Sequence, residues 1–335
     1  MIDNKDIDIN INNKDIDINH KHNGESNLNC SCFVCSCKKG QLSDAKILFS
    51  SNVIIDINTD INADINTDMK SAFIWSCING HLNVAQWLWS ISTIDHSVHN
   101  AAFLFSCKHG HFEIGQWLYS IGSININAKN DFAFRLACKY GHLKIAKWLY
   151  YLSTINGHLN INIHARNDYA FRSVCERGHL EIVTWLYFLS TINGQGKIDI
   201  HLNHEYAFRV SCERGHLEIA TWLYSLSTIN GQGKINIHAD NEYAFRLSCE
   251  NGYFEIAIWL YSRSVIDGQH INIHANNEYA FRWSCINGHL AIGQWLYDLA
   301  ISQNRSINIH VFDDDVFKWS CKNGHFDVVK WLYYL

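Results

Sequence analysis

The sequence predicts an all-α repeat solenoid. Three observations carry that: a motif that returns at a near-fixed period, a glycine in the middle of every copy, and a helical apolar stripe on either side of that glycine. One well-formed copy is Glu205–Tyr224, EYAFRVSCERGHLEIATWLY. Aligned on glycine, nine copies stand at Gly40, Gly80, Gly110, Gly141, Gly178, Gly215, Gly252, Gly288 and Gly324. Their spacings are 40, 30, 31, 37, 37, 37, 36 and 36 residues. A period in this range marks a stack of supersecondary units.

The elements of one copy follow in order. Asn130, Asn167, Asn241 and Asn277 come first, and an acid follows at Asp131, Asp168, Glu205, Glu242 and Glu278. An asparagine oxygen accepts a free backbone N–H, so these residues read as helix N-caps. The acid then lies at the positive end of the helix. Arg135, Arg172, Arg209, Arg246 and Arg282 stand four residues later, the spacing that pairs opposite charges on one face. Ala207, Phe208 and Cys212 form the apolar stripe of the first helix. Gly215 ends it, because glycine enters the left-handed region at little cost. In the second helix Ile219, Ala220, Leu223 and Tyr224 share one face. A polar connector with an alternating stretch, such as Ile235-Asn236-Ile237-His238, reads as a short hairpin-like link. Two short helices cannot bury their faces alone, but stacked neighbours can.

The motif resembles the ankyrin repeat, which reads roughly T-P-L-H-x-A-A-x-x-G-H-x-x-I-V-x-x-L-L over about 33 residues. Tyr206–Tyr224 reads Y-A-F-R-V-S-C-E-R-G-H-L-E-I-A-T-W-L-Y. The Gly-His pair stands in seven of nine copies, with Gln41 and Tyr253 in the other two. Ala207 replaces the family's proline, Arg209 its histidine, and Trp222 an aliphatic residue. The resemblance covers Ser71–Leu335 well and Cys32–Phe49 weakly. The YAFR and WLY variants, in an Asn/Ile-rich chain without proline, are similar to the ankyrin proteins of giant viruses that infect amoebae; an amoebal protein of like composition is the competing source. The resemblance implies a protein–protein interaction scaffold whose partner, in the viral case, is a host protein.

Composition narrows the class. The chain has 335 residues, 47% of them hydrophobic, enough for a long core strip. Its net charge of −5 argues against nucleic acid, which calls for a basic face. No apolar run is long enough for a membrane span. The opening MIDNKDIDIN lacks the basic and apolar regions of a signal peptide. Nine of the twelve cysteines stand three residues before the repeat glycine: Cys37, Cys77, Cys107, Cys138, Cys175, Cys212, Cys249, Cys285 and Cys321. Equivalent sites lie about 10 Å apart when helices pack, too far for a disulfide. They are expected to be buried free thiols, which fits an intracellular setting, host cytoplasm in the viral reading.

The chain divides into four stretches. Residues 1–29 form a low-complexity Asn/Ile/Asp-rich segment with strand-like alternation at Asp6–Ile11. An EF-hand reading of Asp6, Asp8 and Asn10 fails, because Ile11 stands where glycine is needed and Asp17 where glutamate is. Residues 30–49 form a degenerate first repeat. Its cysteines, Cys30, Cys32, Cys35 and Cys37, suggest zinc, but three of them fall on repeat positions and the spacing departs from paired zinc ligands. Residues 50–70 form an Asp-Ile-Asn-rich insert (Asp56, Asp60, Asp64), read as a polar loop or short extended segment. Residues 71–335 hold eight repeats. STINGQGK recurs at Ser190–Lys197 and Ser227–Lys234, a mark of recent duplication. The last helix reaches Trp331–Leu335 without a polar cap, so its apolar face either pairs or frays.

Function is then a matter of surface. Tryptophan recurs seven residues after glycine at Trp87, Trp117, Trp148, Trp185, Trp222, Trp259, Trp295 and Trp331, and reads as inter-repeat core rather than a recognition ladder. The histidines after glycine read as structural, with the resemblance implying that each ring ties one loop to the next. No G-x-S-x-G, H-E-x-x-H or Walker motif occurs, so neither an enzyme nor a cofactor or small-molecule site is expected. By the resemblance, partners are held by the first-helix face and the connector tips. On this chain that selects Arg135, Lys139, Tyr140, Arg172, Glu176, Arg177, Arg209, Glu213, Arg214, Arg246, Glu250 and Arg282. The alternatives are a metal-binding module at Cys30–Cys37 and a near-neutral duplicate without a dedicated partner.

Overall fold

The computed structural model describes residues 32–55, 62–122, 124–155, 160–229 and 233–335. The low-complexity N-terminal segment, Cys30, and the centres of the Asp-Ile-Asn insert and of the second STINGQGK copy lie outside them. The described residues fold as helix pairs, with no strand among them.

Two compact units divide at Asn162 and Ile163. The first holds α1 (Phe33–Lys38), α2 (Leu42–Ile55), α3 (Asn62–Ile78), α4 (Leu82–Ile91), α5 (His96–His109), α6 (Phe112–Ile121), α7 (Ala128–Lys139) and α8 (Leu143–Ile155). The second holds α9 (Ala165–Arg177), α10 (Leu180–Ile192), α11 (Leu202–Glu213), α12 (Leu217–Ile229), α13 (Ala239–Glu250), α14 (Phe254–Ile266), α15 (Ala275–Ile286), α16 (Leu290–Ser302), α17 (Val311–Lys322) and α18 (Phe326–Tyr333). Odd-numbered helices are the first of each pair. Within each unit they pack tightly on one another in sequence, while the second helices approach each other far less closely. The first-helix row is therefore the inner side of each stack.

The expected apolar faces are the core. Ala207, Phe208, Cys212, Ile219, Ala220 and Leu223 are all buried. The alternating connectors bury both isoleucines, as at Ile198 with Ile200 and Ile235 with Ile237. Serines near the ends of second helices hold these connectors: Ser190 Oγ accepts from Ile198 N at 3.1 Å and Ser227 Oγ from Ile235 N at 3.1 Å. They are thus extended single segments rather than paired hairpins among the described residues.

The Asp-Ile-Asn insert departs from expectation. Ile55 still belongs to α2 and Asn62 already opens α3, so its described parts are helical rather than extended. Neither stretch contains the proline or glycine that would stop the helices running in from the flanking repeats.

The turn glycines show why no other residue suits them. Gly252 has φ +81, and a Cβ there would stand 2.5 Å from the His289 ring. Gly215 is hemmed in the same way by Tyr253.

Candidate functional site

The entry to the first helix is where this sequence departs furthest from simple helix rules. The asparagine does not cap. Three successive residues adopt left-handed backbone at Lys129–Asp131, Arg166–Asp168, Asn203–Glu205, Asp240–Glu242 and Asn276–Glu278, with φ between 52° and 63°. Left-handed backbone costs about 1–2 kcal/mol per non-glycine residue, less for Asn and Asp. An ordinary cap does occur at α5, where Asp95 Oδ1 accepts from Ser97 N and Val98 N at 3.0 Å each. That copy has Leu104 in the arginine position.

The arginines hold the left-handed turns. Arg135 donates from Nε to Asn130 O (2.9 Å) and from a terminal nitrogen to Lys129 O (3.1 Å). Arg172 does the same to Asn167 O (2.8 Å) and Arg166 O (3.3 Å), and Arg246 to Asn241 O (2.7 Å) and Asp240 O (3.2 Å). Arg209 reaches Asn203 O at 3.1 Å and pairs with Asp240 of the next repeat. Arg282 Nη2 reaches Asp315 at 2.9 Å. Hydrogen bonds from a charged donor contribute about 1.5–3 kcal/mol each. Two of them match the cost of the turn.

The acid expected to pair with this arginine has other partners. A histidine four residues before it donates from Nδ1: His164 to Asp168 at 2.6 Å, with His201–Glu205, His238–Glu242 and His274–Glu278 at 2.9 Å. The same carboxylates accept from the following connector, as Glu242 does from Asn272 N at 3.2 Å. One buried acid therefore ties its own turn to the next repeat. Burial raises the Asp168 carboxyl above its usual range, against the lowering pull of His164.

Beside the arginines runs a tyrosine row that sequence reasoning missed. Tyr206, Tyr243 and Tyr279 lie under Arg172, Arg209 and Arg246, at 5.2, 4.7 and 4.7 Å from guanidinium carbon to ring centroid. Tyr243 donates to Glu213 at 2.7 Å and Tyr279 to Glu250 at 2.6 Å. Burial first, and then Glu213, push the Tyr243 phenol up to about 12. The signal for this row was present: each tyrosine stands nine residues before its glycine, directly after an acid.

The candidate residues therefore divide. Arg135, Arg246 and Arg282 are buried, and Arg172 and Arg209 are half-buried against their turns. Lys139, Tyr140, Glu176, Glu213 and Glu250 are half-buried at the ends of first helices. Arg177 and Arg214 are exposed there, with Arg214 at 3.6 Å from both Glu176 and Glu213.

The remaining repeated residues tie neighbours together. His111 Nε2 meets Ile78 O at 2.7 Å, His142 Lys108 O at 2.9 Å and His216 Glu176 O at 3.0 Å. Trp222, Trp259 and Trp295 stand edge-on to Tyr187, Tyr224 and Tyr261 of the preceding repeat, at 5.6, 5.7 and 5.9 Å. They are inter-repeat packing, half-buried rather than sealed in.

Eight repeat cysteines are buried and free, but Cys321 is exposed, a correction to the uniform expectation. Burial pushes the Cys285 thiol up to about 12. A thiolate-selective reagent is therefore expected to modify Cys321 first among the repeat cysteines, and Cys285 only on unfolding. Peptide mapping by mass spectrometry checks this, and equal labelling of both would sink the burial assignment.

The histidines give a pH prediction. Burial lowers the imidazole values of His99, His142 and His289. A lowered folded value means that the unfolded chain binds the proton more tightly. The stabilisation is then complete above the unfolded value of about 6.5 and is lost as the pH falls below it. His109 is lowered in the same way, and Asp168 alone opposes these histidines. The thermal midpoint is expected to drop between about pH 7 and pH 5; an unchanged or higher midpoint would contradict it.

No family model matches the chain, and no curated protein matches its sequence. Among solved structures, an ankyrin repeat family protein from Legionella pneumophila is similar at 17% identity and a TM-score of 0.41, over 91% of this chain and 86% of that one. The helix pairs themselves, not this likeness, establish the repeat fold.

Proposed function

We propose that the chain is a non-catalytic, ankyrin-like scaffold that holds a protein partner on its first-helix rows. One observation supports this most. Cysteine, histidine and acid perform the same structural task in copy after copy, while the pair before the glycine changes chemistry. It reads Lys139-Tyr140, Glu176-Arg177, Glu213-Arg214, Glu250-Asn251 and Ile286-Asn287. A constant frame with variable outward residues is a surface suited to selective contact. The five arginines act as positioning residues under that surface. The proposal extends to a host-cell protein as the partner.

A metal module at Cys30–Cys37 is the second reading. Cys32 Sγ accepts from Cys35 N at 3.4 Å as the cap of α1. Among the described residues no group of three His, Cys, Asp or Glu is placed to hold a metal, and Cys30 lies outside them. Zinc content of the purified chain separates this reading from the first.

The scaffold reading is tested by affinity capture from amoebal lysate. The full chain is compared with a variant carrying Lys139→Ala, Glu176→Ala, Arg177→Ala, Glu213→Ala, Arg214→Ala and Glu250→Ala. A specific partner held by the first and lost by the second, with equal circular dichroism, supports the first-helix row. A partner held equally by both overturns that placement, and capture of none overturns the scaffold reading.

A further inference from the structure

The residue two places before the turn glycine changes sign along the chain. It is Lys38, Ile78, Lys108 and Lys139 in the first unit, and Glu176, Glu213 and Glu250, followed by Ile286 and Lys322, in the second. The glutamates and the lysines at this position find different partners, and Lys322 in the second unit also lies over a ring, 4.1 Å from the Trp319 centroid. In the second, Glu213 and Glu250 are hydrogen-bonded by the next repeat's tyrosine. In the first, ammonium groups lie over aromatic faces of the next repeat. Lys38 Nζ is 4.0 Å from the Trp75 ring centroid, and Lys108 Nζ is 5.3 Å from that of Tyr140. Lys139 Nζ lies 6.0 Å from Tyr140 within its own repeat. A ring face steadies an ammonium group without cancelling its charge.

No acid occupies either pre-glycine position in this unit, which reads Lys38-Lys39, Ile78-Asn79, Lys108-His109 and Lys139-Tyr140. Lys38, Lys39 and His109 are exposed. Because α1, α3, α5 and α7 pack in sequence, these residues form one row on the inner side of the unit.

The geometry points to this basic–aromatic row as the docking site for an acidic, extended segment of a protein partner. The inference rests on the scaffold reading and names the partner's chemistry. Charge complementarity selects the sign, and it orients and speeds association more than it adds affinity. Spacing selects the form. Neighbouring repeats step by about 10 Å, and an extended chain advances about 3.3 Å per residue. A carboxylate on about every third residue therefore follows adjacent repeats. Lys108 and Lys139 are one repeat apart, and Lys38 and Lys108 are two. A protein segment is favoured over single-stranded nucleic acid for a local reason. Base stacking needs an open ring face, whereas Trp75 and Tyr140 already carry ammonium groups.

The test is fluorescence anisotropy with the full chain and a labelled peptide of about twelve glutamates, a length that spans the row when extended. Saturable binding is expected, weakening as salt rises and screens the contacts. The variant Lys38→Glu/Lys108→Glu/Lys139→Glu is expected to weaken it at least about tenfold, the scale of a few lost charge contacts. The control Lys144→Glu/Lys147→Glu changes exposed lysines on α8 and is expected to leave binding unchanged. Circular dichroism confirms that each variant folds. Equal loss in both variants overturns the site, and a single-stranded DNA of like length binding as tightly as the peptide overturns the protein assignment. Failure of wild type to bind the peptide, while it still captures a partner that the lysine variant also captures, overturns this inference and leaves the scaffold reading standing.

Discussion

Replacing Phe208 with alanine is expected to cost about 3–5 kcal/mol of stability, the usual loss for a buried phenylalanine. The side chain is 0% exposed, and its ring lies 6.1 Å from that of Trp259 in the next repeat. The cavity would therefore open at an inter-repeat contact, not within one helix pair. In a quasi-one-dimensional stack that contact is the coupling between neighbours. The loss should appear as a lower urea midpoint together with a shallower, less cooperative transition. Phe188→Ala is the control. Phe188 is 62% exposed on α10, and its removal should stay within about 0.5 kcal/mol. Similar losses for both residues would mean that burial does not set the energetics of this array.

Much of the fold was legible because its determinants are local and repeated. Gly215 announces a left-handed residue between two helices. The spacing of Ile219, Ala220 and Leu223 announces one face, and the alternation of Ile235 and Ile237 announces an extended connector that buries both. The tryptophans were placed correctly as packing because they keep a fixed offset from the glycine. Three features were not legible. Asn130-Asp131 fits a capped helix start as well as a left-handed turn, and only the bonds from Arg135 to the turn carbonyls and from the connector's Asn162 N to Asp131 decide between them. The Arg-to-acid spacing of four suggested an ion pair, yet the backbone bends away there, and each group finds another partner: the arginine the turn carbonyls five and six residues back, the acid the histidine four residues back. Cys321 shares its sequence position with Cys285 but not its burial, because burial depends on a neighbour that the motif itself does not encode. The variable pre-glycine residues were visible as a list. Their pairing with Trp75, Tyr140, Tyr243 and Tyr279 needed the helices to be stacked.

The left-handed turns lead to the second large effect. Arg135→Ala removes two bonds, at 2.9 and 3.1 Å, and leaves the carbonyls of Asn130 and Lys129 without that donor. A loss of about 3 kcal/mol is expected from two charge-assisted bonds at a buried site. Arg135→Lys should recover only part of it, because an ammonium group lacks the planar fork that serves two acceptors at once. The mechanism has its own signature. If the arginine works by offsetting backbone strain, then lowering that strain should lower the cost of losing it. Asn130→Gly does so, since glycine takes φ near its present 57° without a Cβ penalty. Arg135→Ala should therefore cost less in the Asn130→Gly background than alone, by a few tenths up to about 1 kcal/mol, since an asparagine carries less than the full left-handed penalty. A double-mutant cycle by urea unfolding measures that difference. Strict additivity would show that the arginine stabilises by packing over Phe132, 5.2 Å away, and that the turn stands without it.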